Sequence, residues 1–134
     1  MRVSSVRATA TDRDRKTTII DETHLERMTL GDRRLEREVL ELFVRQTTIM
    51  LGRIVGPDQA LAAAAAHTLK GSARGVGAWR VARAAELVES AASGEGDASA
   101  MEEAVTELKA ASLEASAAIG TRLSGLVAEL ARTR

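Results

Sequence analysis

The sequence of 134 residues has no cysteine, no tyrosine, a single proline, one tryptophan and one phenylalanine. Without cysteine, the chain can form neither disulfides nor cysteine-based zinc sites, and it has no thiolate nucleophile. The scarcity of aromatic side chains leaves no platform on which nucleic-acid bases could stack. No apolar run approaches the roughly 20 residues of a membrane span, and the N-terminus lacks the apolar core of a secretory signal. We therefore expect a cytoplasmic protein with no membrane partner.

The charge of the chain is balanced, because 19 basic residues are matched by 19 acidic residues. Proteins that bind nucleic acids usually carry a basic surplus, so we expect no nucleic-acid partner. Alanine, leucine, glutamate and arginine dominate, and this composition of helix formers predicts an all-α fold. The length suits a single domain.

Residues 1–17 are polar, charged and without periodicity, and we interpret them as a disordered arm in front of one helical domain over residues 18–134. Gly31 and Asp32 separate a short first helix from the second. Pro57 suits the first turn of the third helix, and Gly75 and Gly77 predict the turn after it. The five predicted helices are a short one within 21–30, then 33–55, 58–74, 78–92, and a last one capped by Ser99 with Glu102.

Two of these helices have unusual apolar patterns. The second carries two apolar stripes, one with Leu35, Leu42 and Ile49 and one nearly opposite, so it is either deeply buried or presents a docking surface. The last carries one clean stripe from Met101 to Leu130 and, if Gly120 does not interrupt it, exceeds its neighbours in length. Its tail then overhangs, folds back or pairs with another chain.

The third helix contains His67, and at about 100° per residue its neighbours fall on two opposite faces of the helix. Small or cationic residues share the histidine face: Ala60, Ala63, Ala64, Lys70, Gly71 and Arg74. The opposite side collects Leu61, Ala62, Ala65, Leu69, Ala73 and Val76, which predicts that the core lies there. We therefore expect His67 to point outward.

These residue types suit phosphoryl transfer. A neutral imidazole is a nitrogen nucleophile, because its ordinary pKa is about 6.5, and it can attack phosphorus. Lys70 lies one turn further on, where its ammonium can offset phosphoryl charge. Gly71 leaves the surface open, although a glycine inside a helix costs about 1 kcal/mol relative to alanine. The alternative interpretation is an ordinary solvated histidine with no role, as we expect for His24.

The run from Ala66 to Ala78, AHTLKGSARGVGA, resembles the motif of the histidine-containing phosphotransfer (HPt) family. Phe43, Leu87 and Glu89 fit the family pattern more loosely. The resemblance covers about residues 20–118 and does not extend to the tail after Ile119.

The resemblance implies an up-down four-helix bundle with a short extra N-terminal helix, to which this chain adds an extended C-terminal helix. It implies that His67 is phosphorylated, that Lys70 stabilises the phosphoryl charge and that Gly71 provides clearance. Some members have a glutamine near the histidine where this sequence offers Glu89, which leaves the role of that position open. A receiver would dock on a face containing Gly71, Ala63, Ala64 and Arg74.

The implied function is a phosphorelay intermediate that exchanges phosphoryl groups with response-regulator receiver domains and a hybrid or sensor histidine kinase. No nucleotide loop is visible, so we expect no kinase activity with ATP. The two histidines are isolated from each other and lack companion ligands, so we expect no metal site. We also expect no cofactor, with Mg²⁺ supplied by the receiver. We expect a monomer. The alternatives are an adaptor or oligomerisation bundle without phosphotransfer, and a dimeric histidine phosphotransferase.

Overall fold

The computed structural model describes residues 19–132, and the predicted N-terminal arm, residues 1–17, lies outside this range. Within it, all regular secondary structure is helical, as the composition predicted. The helices are α1 (Glu22–Met28), α2 (Arg33–Ile54), α3 (Gln59–Val76), α4 (Trp79–Ala92) and α5 (Ala98–Arg132). None of these helices combines the length and the apolar character that a membrane span requires.

The helices α2 to α5 form the predicted four-helix bundle. In it α3 packs between α2 and α4, α5 closes the ring against α4 and α2, and α1 lies against α3. Short connections make consecutive helices antiparallel. The core is built from aliphatic side chains and many alanines, and its largest fully buried apolar members are Leu25, Leu40, Ile54, Leu69, Val81, Val88, Leu108 and Ile119.

Aspartates begin four of the five helices, because their carboxylates accept hydrogen bonds from N–H groups that lack a partner in the first turn. Asp32 accepts from the backbone of Arg34 and Leu35, as predicted. Asp58 caps α3, so Pro57 stands before the cap and not in the first turn. Asp97 accepts from the Ala100 N–H. The predicted cap at Ser99 is therefore wrong, because Asp97 provides it two residues earlier.

The turn between α3 and α4 is shorter than expected. Gly75 remains inside α3, and only Gly77 has the left-handed conformation that ends the helix, with φ of 80°. The Gly77 carbonyl accepts a hydrogen bond of 2.9 Å from the backbone N–H of Asp21. A Cβ at Gly77 would lie 3.0 Å from Asp21 atoms. Glycine is therefore required here both by backbone conformation and by the close approach of the chain before α1.

His24 was expected at the surface, but it is half-buried beside the first turn of α4. Its ring meets Trp79 edge to face, with centroids 4.9 Å apart. The Trp79 Nε1–H donates to the Asp21 carboxylate at 3.0 Å. The prediction failed because α1 is short and polar in sequence, whereas its contact with the distant Trp79 arises only in the folded chain.

The two apolar stripes of α2 differ in their exposure to solvent. The buried face contains Leu40, from the stripe opposite Leu35, with Phe43, Met50 and Ile54, and it includes two polar residues, Glu36 and Thr47. The stripe of Leu35, Leu42 and Ile49 is 38%, 49% and 51% exposed. Deep burial of α2 is thus excluded, and α2 presents an apolar surface to solvent.

The last helix is continuous through Gly120. Its predicted stripe is the buried one, with Leu108, Ser112, Ala115, Ile119 and Leu126 in the core. The tail does not fold back. It continues along the bundle, where Arg122 pairs with Glu22 on α1 and with Glu36 on α2, and Leu126 is buried.

Candidate functional site

His67 lies in the middle of α3 and points away from the core, as predicted. Its side chain is 68% exposed. The opposite side of α3 is buried at Ala62, Ala65, Leu69, Ala73 and Val76. Leu61, which was predicted on that side, is instead 44% exposed. It lies in the first turn of α3, at the edge of the core-facing side, just after α2 has ended.

The imidazole of His67 is held by a carboxylate from the neighbouring helix. His67 Nδ1 lies 2.8 Å from Oε2 of Glu89 on α4. Because an ionised carboxylate can only accept a hydrogen bond, the proton of this contact belongs to Nδ1. In the neutral ring the other nitrogen, Nε2, then carries the free lone pair. Glu89 thus makes Nε2 the ring nitrogen whose lone pair is available for chemistry.

The same carboxylate also binds the cation predicted for the site. Lys70 Nζ donates to Glu89 Oε1 at 2.7 Å, so the two carboxylate oxygens are shared between the lysine and the histidine. The Lys70 ammonium, together with the hydrogen bond from His67, holds the pKa of the Glu89 carboxyl below its ordinary value. Glu89 is therefore ionised throughout the neutral pH range.

The other predicted site residues surround His67 on α3. Gly71 and Ala64 are exposed, and Ala63 is half-buried. A Cβ added at Gly71 would meet no heavy atom of residues 19–132 within 4 Å, apart from its own helix backbone and chain neighbours. Arg74 is also exposed, and its guanidinium lies 3.8 Å from the Glu86 carboxylate on α4. The predicted face is therefore open above Gly71 and charged at its far end.

An apolar cleft flanks this face on the side away from Glu89. It has a volume of about 340 Å³ and lies between α1, α2 and α3. Gly75, one turn beyond Gly71, forms part of its wall. The apolar side chains of the wall are Met28, Val39, Leu42, Phe43 and Val76, and Thr29, Gln46 and Ser72 complete it. The exposed stripe of α2 was the sequence signal for this surface, but its position beside the histidine face was not predicted.

The sequence interpretation named Glu89 but gave it no role. Counting residues from the turn along both helices would have predicted its position beside His67. Glu89 lies 22 residues after His67, and the turn at Gly77 stands near the midpoint between them. In an antiparallel helical hairpin, residues at similar distances from the turn lie at the same level, which brings Glu89 beside His67.

Comparison with known proteins identifies the family. A model of the Hpt domain matches residues 35–131, which is most of the chain. The match includes the tail after Ile119, so ending the resemblance near residue 118 was wrong. The chain belongs to the Hpt family. As an Hpt domain, it is a phosphotransfer carrier and an intermediate of a phosphorelay.

Two solved structures resemble this Hpt domain. One is the histidine phosphotransferase ShpA from Caulobacter crescentus, with 31% identity and a TM-score of 0.56 over 81% of this chain and 98% of that one. The other, from rice, is described as a histidine-containing phosphotransfer protein. It is 17% identical, with a TM-score of 0.69 over 92% of this chain and 95% of that one, and shows the likeness of the fold. A search of curated proteins gave no match.

Proposed function

We propose that this Hpt domain accepts a phosphoryl group on Nε2 of His67 from a phospho-aspartyl receiver domain and passes it to another receiver. The observation that carries the proposal is the contact of Glu89 with Nδ1, which leaves Nε2 unprotonated and facing outward. In the first step Nε2 attacks phosphorus, and the bond between phosphorus and the aspartate oxygen breaks. The second step is the reverse reaction at a different aspartate.

Lys70 is proposed as the cation that stabilises the phosphoryl oxygens. Its ammonium already lies next to the imidazole, because both contact the same carboxylate. The lysine side chain is 15% exposed, so its position is defined before any partner binds. Phosphoryl transfer depends mainly on positioning and charge stabilisation, which a pre-positioned ammonium provides.

The partner surface is proposed to combine the open face with the apolar cleft. A receiver has to bring its aspartate to Nε2, and Gly71, Ala63 and Ala64 leave room for that approach. The cleft next to Gly75 can bury apolar side chains of the receiver. Arg74 can contact acidic groups at the rim, where it changes the association rate more than the affinity.

The phosphoryl source is proposed to be another protein, either a receiver or a hybrid or sensor histidine kinase, and not ATP. Mg²⁺ is expected in the acidic pocket of the receiver, with no cofactor bound by the Hpt domain itself. We further propose that the protein acts in the cytoplasm, where such partners are found.

A reconstituted relay tests this function. One receiver domain is phosphorylated and purified, and a second receiver is added with or without the Hpt domain. We expect rapid phosphorylation of the second receiver only when the Hpt domain is present, and no acceleration by His67→Gln. Equal acceleration by His67→Gln, or none by the wild type across a panel of receivers from the same source, would contradict the proposal.

A further inference from the structure

The side chain that contacts His67 Nδ1 is the carboxylate of Glu89. Its negative charge would face a positive charge on the ring once His67 is phosphorylated. Attack by Nε2 of a ring that keeps its proton on Nδ1 yields a phosphorylated imidazolium, with one positive charge on the ring. No proton has to leave in this step, since the electron pair of the broken bond remains on the receiver's aspartate. The charged ring then remains next to a carboxylate if the 2.8 Å contact between Nδ1 and Glu89 persists.

We infer that Glu89 is a positioning residue whose negative charge keeps phosphorylated His67 in its protonated, transfer-competent form. This inference rests on the proposed function of His67. In onward transfer the aspartate oxygen of the next receiver attacks phosphorus, and the pair of the N–P bond returns to Nε2. If Nδ1 is protonated, the leaving group is a neutral imidazole. If Nδ1 has lost its proton, the leaving group is an imidazolate anion, which leaves far more slowly.

The surroundings of the ring support an effect specific to Glu89. Among the described residues, the charged groups at the His67 ring are Glu89, which contacts Nδ1, and Lys70, which binds the other oxygen of the Glu89 carboxylate. Arg74 and Glu86 lie further along the helices and pair with each other. The residues that α1 and α2 contribute to the adjoining cleft are uncharged: Met28, Thr29, Val39, Leu42, Phe43 and Gln46. Glu89 is thus the anion in direct contact with Nδ1.

Phosphorylation also changes the partners of Lys70. Before transfer the ammonium is bound to Glu89 Oε1 at 2.7 Å. After transfer the phosphoryl oxygens compete for the same ammonium, because they carry more charge than one carboxylate. When Lys70 turns toward them, Glu89 no longer contacts the ammonium, and its carboxylate interacts with the imidazolium alone. Lys70 then contacts the phosphoryl group, and Glu89 contacts the ring.

The test compares wild type, Glu89→Gln and a matched control, Glu103→Gln, which removes an exposed carboxylate from α5. Glutamine retains the size of the side chain but not its charge. Each protein is phosphorylated with potassium phosphoramidate, and intact mass with a His67→Gln reference establishes labelling at His67. Two quantities are then measured between pH 6 and 9: the rate of transfer to one receiver domain, and the ¹⁵N chemical shifts of the phosphorylated ring, which report the proton on Nδ1.

We expect the Nδ1 proton of Glu89→Gln to be lost at a pH about one unit lower than in the wild type, which corresponds to an about tenfold slower transfer at pH 8.5. At pH 6, transfer should be nearly equal, and Glu103→Gln should match the wild type throughout. Overlapping titrations for wild type and Glu89→Gln would overturn the inference. So would an equal loss of rate at every pH, since that pattern indicates lost orientation of the ring and not lost charge.

Failure of this inference is distinguishable from failure of the proposed function. If His67 is labelled and relays phosphoryl groups, but the Nδ1 proton is lost at the same pH in the wild type and in Glu89→Gln, only the inference is wrong. The spectra of the wild type test the inference without any variant. In the folded protein, the phosphorylated ring should keep its Nδ1 proton to a higher pH than in the same chain unfolded in urea. An equal or lower midpoint in the folded protein would overturn it.

Discussion

At the level of single residues, the two neighbours of His67 one turn along α3 contribute different things. Lys70 provides a charge and Gly71 provides space. The histidine, the lysine and the glycine were all predicted from the spacing of one helix, because residues three and four apart necessarily share a face. Glu89 could be placed only through the register of a second helix, and its two hydrogen bonds depend on side-chain conformations that no spacing specifies.

Replacing Lys70 with alanine should slow phosphotransfer by about a hundredfold to a thousandfold, the range found when one preorganised donor to a developing charge is removed. Affinity for an unphosphorylated receiver should change little, because Lys70 is mostly covered by its own chain. Stopped-flow transfer rates and a binding titration of the same preparation measure the two effects. Transfer at the wild-type rate would exclude Lys70 from the chemistry.

Gly71 should tolerate a methyl group but not a long side chain. Gly71→Ala removes a helix-destabilising residue from an open position, and should raise the free energy of unfolding by up to about 1 kcal/mol. Gly71→Arg should also fold, yet its side chain would stand where the receiver approaches Nε2. We expect strongly reduced transfer for Gly71→Arg at a melting temperature no lower than that of the wild type. If Gly71→Arg transfers normally, the receiver does not approach over this residue.

At the level of elements, the site depends on how α3 turns into α4. The turn at Gly77 sets the register of the two helices, and that register brings Glu89 to the level of His67. The sequence predicted a turn here but placed Gly75 in it as well. Gly77 is required by its left-handed backbone and by the approach of Asp21. That approach joins segments 56 residues apart in sequence, so no local pattern could predict it.

Gly77→Ala should destabilise the protein by about 2 kcal/mol, because alanine disfavours the left-handed backbone and its Cβ would collide with Asp21. Gly71→Ala is the matched control, since it makes the same change at an open helical position and has the opposite expected sign. Urea unfolding followed by circular dichroism gives both values. Equal effects of the two substitutions would show that the backbone at Gly77 is not constrained in this way.

At the level of the whole molecule, the C-terminal half of α5 is attached to the bundle by a buried ion pair. The Glu36 side chain on α2 is 0% exposed, and it accepts hydrogen bonds from Arg122 on α5 and from Arg33. Arg122 also contacts Glu22 on α1 at 2.8 Å. The tail is therefore part of the fold. A sequence pattern detected its apolar stripe, but it could not indicate that a glutamate among apolar residues of α2 would be buried against it.

Arg122→Met should cost about 3 kcal/mol, because it removes the main partner of a buried carboxylate. The double variant Glu36→Leu/Arg122→Met should recover most of that loss, since the buried carboxylate that Arg33 alone would have to balance is then removed. Denaturant unfolding of the two single variants and the double variant measures the coupling. Purely additive effects would mean that Arg122 and Glu36 do not stabilise the fold as a pair.

The most direct test of His67 as the phosphoryl carrier is the mass of the intact protein after incubation with a phosphorylated receiver. The wild type should gain one phosphoryl group, which acid removes and mild alkali does not, as expected for a phosphoramidate. His67→Gln should gain none, although it should retain the wild-type melting temperature because the side chain is exposed. A phosphoryl group of the same acid lability on His67→Gln would contradict the assignment of His67 as the site of phosphoryl transfer.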